Sequence, residues 1–173
     1  MTTHPPHVAI RNETSNDAAA IHRLVREAFA NAEHRSGTEQ HIVDALRTTG
    51  ALTLSLVAAD GDALLGHAAF SPVTLSDGSD RWFGLGPVCV LPDRQRSGIG
   101  SRLIEQGLLR LRELGASGCV VLGDPVYYRR FGFQPESAPV LPGVPPAYFQ
   151  ALAFDGAVPM AEVSYHPAFS AHA

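Results

Sequence analysis

The chain has 173 residues, of which 45% are apolar and 17% charged. That is the usual size of one domain, with enough apolar side chain to bury a core, so general disorder is excluded. The net charge is −4 with no block of like charges, so nucleic acid and anionic membrane gain no support as partners. All 13 basic residues are Arg, and without Lys there is neither Schiff-base chemistry nor a Gly-Lys-Ser/Thr phosphate loop.

No apolar run reaches the ~18 residues of a membrane span. Met1 to His7 lacks the basic start and apolar stretch of a secretory signal. A cytoplasmic protein folded as a single domain, 1–173, is expected. Cys89 and Cys119 lie in apolar segments and make no disulfide framework. The eight His include no His-x-x-x-His pair, and none stands near a Cys at ligand spacing, so no metal is expected.

In chain order, Val8–Arg11 reads as a short strand. Thr14-x-x-Asp17 resembles a capping box and opens a helix to about Asn31. Its Ile21, Leu24, Val25, Ala28 and Phe29 recur at i, i+3, i+4, i+7, i+8, which is one helical face. A polar break over 33–37 precedes a second helix from about Thr38, which turns Ile42, Ala45 and Leu46 inward and is capped by Gly50. The period then becomes two: Leu52, Leu54, Leu56 and Ala58 alternate with Thr53, Ser55 and Val57. Asp60-Gly61 turns this strand into another, 64–75, in which Pro72 marks an irregularity or an edge position. Asp77-Gly78 leads to a third strand, 82–90, and three consecutive antiparallel strands are the simplest reading.

A Gly-containing loop follows, then a helix of about 98–114 with Ile104, Gly107, Leu108, Leu111 and Leu114 as its buried stripe. Cys119–Leu122 is the unbroken apolar run of a central strand covered on both faces. Asp124-Pro125 caps a short helix through Tyr127 and Tyr128 that ends at Gly132. The Pro-rich stretch 135–146 reads as loop. Residues 151–154, the turn Asp155-Gly156 and residues 162–166 predict a closing hairpin. The order β-α-α-β-β-β-α-β-α-β-β predicts an α/β (α+β) fold, a mixed, mostly antiparallel sheet of about seven strands flanked by four helices.

The segment Val88 to Ser101 carries the most chemistry. A strand ends, a loop with Arg and two Gly turns, and an amphipathic helix begins. Backbone N–H groups at a helix start lack internal partners and carry the positive end of the helix dipole, which suits a pyrophosphate. A dinucleotide fingerprint is excluded, because Gly98-x-Gly100 is followed three positions on by Leu103 and no acidic residue falls at a ribose position.

Gln95-Arg96-Ser97-Gly98-Ile99-Gly100 resembles the Q/R-x-x-G-x-G/A pyrophosphate loop of the GNAT acyltransferase superfamily, and Val90-Leu91-Pro92 resembles the V-x-P that ends its preceding strand. About thirty positions later Tyr128-Arg129-Arg130-Phe131-Gly132-Phe133 is similar to the family's Y-x-x-L/F-G-F. The stretch 122–133 and the ending Tyr165 to Phe169 look like a bacterial group of N-acetyltransferases with poorly defined substrates.

The resemblance implies that acetyl-CoA is the co-substrate. Its pyrophosphate would lie on backbone N–H groups of Arg96, Gly98, Ile99, Gly100 and Ser101, within the loop that Gln95 and Ser97 complete. The backbone around Val88 and Val90 would pair with pantetheine and polarise the thioester, and Tyr128 would protonate the departing thiolate. Tyr127, its neighbour, points about a hundred degrees away. Many relatives carry a carboxylate base on the strand before the loop, whereas residues 82–90 here contain no Asp or Glu. Candidates for the base are Glu33, His34, Glu39, His41 and Asp124, the last also a helix cap. Arg129 and Arg130 would meet CoA phosphate or only solvent, and Cys89 reads as inert core. The expected partner is a small-molecule or peptide amine, with a homodimer allowed. The alternative is an acyl-CoA-binding sensor or partner-binding module without catalysis.

Overall fold

The change of period near Leu52 divides the computed structural model, which describes residues 7–33, 35–135 and 139–172. Before it lie β1 (Ala9–Asn12), α1 (Ala18–Phe29) and α2 (Glu39–Thr48). After it come β2 (Leu54–Asp60), β3 (Ala63–Leu75), β4 (Trp82–Val90), α3 (Ile99–Glu113), β5 (Gly118–Leu122), α4 (Pro125–Tyr128), β6 (Phe149–Ala153) and β7 (Val163–Tyr165). The seven-stranded sheet has the order β1-β2-β3-β4-β5-β6, with β7 against β3. Every pair is antiparallel except β4–β5, which α3 connects as a parallel crossover. The mixed, mostly antiparallel sheet and the β2-β3-β4 run follow the sequence reading. Among the described residues no helix is long and apolar enough to cross a membrane.

The Thr14 box forms as expected: the Thr14 N–H donates to Asp17 Oδ2 at 2.7 Å, and the hydroxyl lies 3.1 Å from the same oxygen. It opens a 3-10 turn, Ser15–Asp17, that runs into α1. Arg11 forks onto the same carboxylate at 2.7 and 3.2 Å and, with the Thr14 N–H, holds the Asp17 carboxyl down at about 2.

The sheet is covered on both faces. Leu56, Ala58, Ala68 and Phe70 pack against Leu103, Ile104, Leu108 and Leu111 of α3. On the other face Val57 and Cys89 meet Ile21, Leu24 and Val25 of α1 and Val43 of α2. α3 lies close to the strands because Gly107 has no side chain: a Cβ there would stand 2.2 Å from the Phe70 ring. Gly66 spaces the other end of the helix, where a Cβ would meet Leu103 at 3.0 Å and Ile99 at 3.2 Å.

Two expectations are corrected. Residues 151–166 do not close on themselves as a hairpin. β6 pairs with β5, from Gly118↔Ala153 to Leu122↔Phe149, and β7 pairs with Val73–Leu75. β3 outruns its last β4 partner at Pro72, and the three residues beyond it offer an open ladder. Val163 and Tyr165 bury there with Trp82, Val120 and Phe149, which a local hairpin would not provide. Pro72 itself lies past the last residue paired with β2, at the predicted edge position. Leu114 is the second correction: it is 61% exposed, because it caps α3 where the chain leaves the helix towards β5.

Candidate active site

β4 behaves as two half-strands. Phe83–Leu85 is paired on both sides, antiparallel to β3 and parallel to Cys119–Val121 of β5, while Trp82 pairs with Gly118 alone. Then the β3 register breaks: Ala68 opposes Val88 while Phe70 opposes Leu85, so Gly86 and Pro87 face Ala69 alone, a bulge that bends the strand. Beyond it Val88–Val90 keeps β3 as a partner and parts from β5.

The ladder's phase decides what those residues present. The Leu91 N–H donates to the Leu65 carbonyl at 2.9 Å. In an antiparallel ladder bonded pairs alternate with non-bonded ones, so His67/Cys89 exchange bonds while Ala68/Val88 and Gly66/Val90 do not. The N–H and C=O groups of Val88 and Val90 are therefore directed off the ladder, into the gap left by β5. The Val90 carbonyl is met there by Gln95 Nε2 at 3.2 Å.

α3 begins at the mouth of this gap. Arg96 (φ 65°) and Gly98 (φ 85°) both take left-handed backbone, a conformation costly for Arg and free for Gly. Alternation of this kind makes a concave nest of N–H groups. The first intrahelical bond is Arg102 N–H to the Gly98 carbonyl at 3.1 Å, so the N–H groups of Ile99, Gly100 and Ser101 are left over. The Ser97 hydroxyl donates to the Arg94 carbonyl at 2.5 Å and so pins the loop.

Together these elements enclose a cleft of about 610 Å³. Its wall on β4 is Val88, Cys89 and Val90; α1 adds Ala28 and Phe29, and the turn after it adds Ala32. Arg94, Gln95, Arg96, Gly98, Gly100 and Ser101 form the polar end, and Tyr127, Tyr128 and Arg130 close the side facing β4. Most of the residues singled out from sequence thus meet in one place. Ser97 supports the loop from outside the cleft wall. The Ile99 side chain is buried in the core, which leaves only its N–H for a ligand.

The sequence resemblance implied cleft walls from the first two helices and the 135–146 loop. Among the described residues of these segments, only the first helix and the turn just after it line the cleft, and sequence reasoning did not name their residues as lining. Their signal was present: the α1 stripe runs on through Ala28 and Phe29, past the turns that cover the sheet. Sequence reasoning also passed over Tyr127. The two Tyr rings are perpendicular with centroids 5.0 Å apart, and both border the cleft. The Tyr127 hydroxyl is directed at Gly100, 3.2 Å from where a Cβ would stand, and the Arg130 guanidinium lies 4.5 Å above its ring. Tyr128 sits deeper, over Gly123 and edge-on to Phe133. A Gly123 Cβ would stand 2.5 Å from its ring, so Gly123 makes its seat. Burial, with Tyr127, Cys119 and Asp124 nearby, pushes the Tyr128 hydroxyl up to about 12. Burial likewise raises the Cys89 thiol to about 12.

Among the described residues, the candidate bases do not line the cleft. Glu33 is exposed. Glu39 is buried and its Oε1 accepts the Ser36 N–H at 2.7 Å, while Oε2 has no partner. His41 meets His22 edge-on at 5.5 Å. Asp124 accepts the Val126 N–H at 2.9 Å as the cap of α4. His34 lies outside the described residues. Among the described residues lining the cleft there is no Asp, Glu or His. Arg129 is exposed, and Arg130 is the member of that pair on the wall.

A sheet split between two parallel strands, with an anion cradle at the crossover helix, defines an acyl-CoA-type site. The comparisons agree. Residues 9–135 match the acetyltransferase (GNAT) domain, and the chain belongs to that family. It is 39% identical over 126 residues to the uncharacterized N-acetyltransferase YhbS of Escherichia coli (strain K12), covering 72% of each chain. Among solved structures it resembles a GNAT family acetyltransferase from Brucella melitensis in complex with acetyl-CoA. The TM-score is 0.85 and the identity 49%, over 95% of this chain and 99% of that one. The crystal structure of E. coli YhbS in complex with CoA gives a TM-score of 0.86 at 34% identity, over 100% and 97% of the two chains.

Proposed function

We propose that the chain, as one domain over 1–173, transfers the acetyl group of acetyl-CoA to a primary amine of a small molecule or peptide by direct attack in a ternary complex. The observation that carries this reading is the phase of β4, which turns the Val88 and Val90 peptide groups into a cleft whose other end is the unsatisfied start of α3. Free N–H groups with Arg94, Arg96 and Arg130 suit a pyrophosphate, and the apolar wall suits the pantetheine arm.

Acetyl-CoA supplies an activated acyl group on a thiol leaving group. The Val88 and Val90 backbone extends along pantetheine as a strand would and polarises the thioester carbonyl. As the amine nitrogen bonds to that carbon and the C–S bond breaks, Tyr128 gives its proton to sulfur and recovers one from solvent. A phenol held near 12 stays protonated at neutral pH, as a general acid must. The amine sheds its proton to water, because the described wall offers no base. Cys89 takes no part; its protonated thiol is a poor nucleophile.

Release of free CoA thiol by the purified protein, with acetyl-CoA and a panel of amines, tests the reading. Amine-dependent release is expected. Tight acetyl-CoA binding with no turnover beyond thioester hydrolysis would leave the protein as a binding module.

A further inference from the structure

His22 on α1 and His41 and Asp44 on α2 are 19 and 22 residues apart in sequence, yet one ligand atom from each lies within 4.8 Å of the other two. His41 and Asp44 are three positions apart and so share a helix face. His22 Nδ1 stands 2.6 Å from Asp44 Oδ2. The rings of His22 and His41 meet edge-on, 5.5 Å between centroids. All three side chains are half-buried, reachable from solvent without being fully solvated.

We propose that His22, His41 and Asp44 form a site for a late first-row divalent ion of the Zn2+ type, clamping α1 to α2. Two imidazoles and one carboxylate are a donor set for such ions, whereas Mg2+ and Ca2+ prefer all-oxygen shells. Bonds of ~2.1 Å at tetrahedral angles put ligand atoms ~3.4 Å apart. The observed spread brackets that distance, so side-chain torsions close the site with the helices in place. Arg47 Nη1 pairs with Asp44 Oδ1 at 3.3 Å and Arg47 is shared with Glu13 at 2.9 and 3.2 Å, which leaves Asp44 Oδ2, the oxygen facing His22, as the ligand atom. The fourth position is open to water. Because α1 ends in Ala28 and Phe29 of the cleft wall, the ion fixes that wall through the helix. The site is independent of the transferase reading and neither needs the other.

The test is calorimetry and thermal melting of the full chain, stripped with chelator and titrated with ZnCl2. One equivalent binds, and the melting temperature climbs with Zn2+ as mass action on the native state requires. Mg2+ gives no shift, and Co2+ in place of Zn2+ gives the visible absorption of an ion in a low-coordinate shell. His41→Gln leaves the metal-free melting temperature nearly unchanged, since its ring makes only the edge contact, and weakens Zn2+ by ~10-fold or more. Asp44→Asn does the same to affinity while also removing the charge that faces His22 and Arg47, which the metal-free melt reports separately. The exposed His172→Gln keeps full affinity. No Zn2+-dependent heat or melting shift overturns the proposal. So does Zn2+ binding that survives both His41→Gln and Asp44→Asn, which would place the ion elsewhere on the protein.

Discussion

The two halves of β4 have the same neighbours in sequence and opposite fates. In Phe83–Leu85 both edges are paired, Trp82 and Leu85 are buried in the cores, and Gly84 leaves room for the Tyr165 ring 2.6 Å from its would-be Cβ. In Val88–Val90 one edge is paired and the other exposes peptide groups to a cleft. Two residues of bulge separate them. The closed half spends its hydrogen bonds on stability, while the open half keeps some unspent for a ligand. Paired peptide groups in the same sheet hold the unpaired ones rigidly in place, and this is what makes them a preorganised site.

Substitutions that separate stability from function sharpen that contrast. Gly100→Glu has the largest effect. It sets a carboxylate among the N–H groups at the start of α3 and crowds the Tyr127 hydroxyl, so acetyl-CoA affinity falls by ~100-fold or more, at ~1.4 kcal/mol per decade. Calorimetry on protein shown to be folded by circular dichroism checks it, and undiminished affinity would put the cradle elsewhere. Tyr128→Phe comes next: turnover falls by ~10-fold or more while cofactor affinity holds, and Tyr127→Phe costs turnover less. A hydroxyl pushed up to about 12 stays protonated as pH rises, so the pH–kcat profile shows no alkaline fall from Tyr128 below pH ~10. An alkaline limb that Tyr128→Phe abolishes at lower pH would contradict this.

On the closed half, Gly84→Val drives a side chain into Tyr165 and Val73. Overpacking of this kind costs ~1–3 kcal/mol, a melting temperature lower by roughly 3–10 °C at this chain length, with acetyl-CoA affinity of the folded fraction unchanged. Val88→Pro sharpens the phase argument. It removes an N–H that the ladder does not use, so the fold survives and the KM for acetyl-CoA rises by roughly 2–10-fold, the worth of one hydrogen bond. Cys89→Pro, one residue on, removes a bonded N–H and destabilises the sheet instead. Equal melting temperatures for the two variants would refute the assigned phase. Cys89→Ala has the smallest effect, within about 2-fold in turnover. Intact mass after acetyl-CoA alone shows no adduct, because a thiol raised to about 12 is protonated at neutral pH.

The elements were legible where local chemistry dictates them. The Thr14–Asp17 box, the stripe of α1, the turn at Asp60-Gly61 and the Gly98 helix start each declare themselves within a few residues. What was not legible depends on distant partners. Nothing within 151–166 says that β7 must cross to β3, because the ladder it completes lies some ninety positions earlier. The bulge at Gly86-Pro87 is a register fact about β3 and β4 together, and the direction of the Val88 and Val90 peptide groups follows from it. At the site, the loop and Tyr128 were readable by spacing, whereas Ala28, Phe29 and Ala32 enter only because α1 packs beside the gap. His22 could not be joined to His41 and Asp44 before the helix pair was known.

Gly66 and Gly107 touch no ligand, yet they decide how closely the helix bearing the cradle approaches the strand bearing Val88 and Val90. They act as shims behind the cleft. Anyone wishing to re-tune this protein for a bulkier acyl donor thus has a dial away from the chemistry. A methyl at Gly66 presses on Ile99, Leu103 and the Cys89 carbonyl, shifting the first turn of α3 against β4 by a few tenths of an ångström with no lining residue substituted. Libraries built only on the cleft's walls would leave that dial untouched.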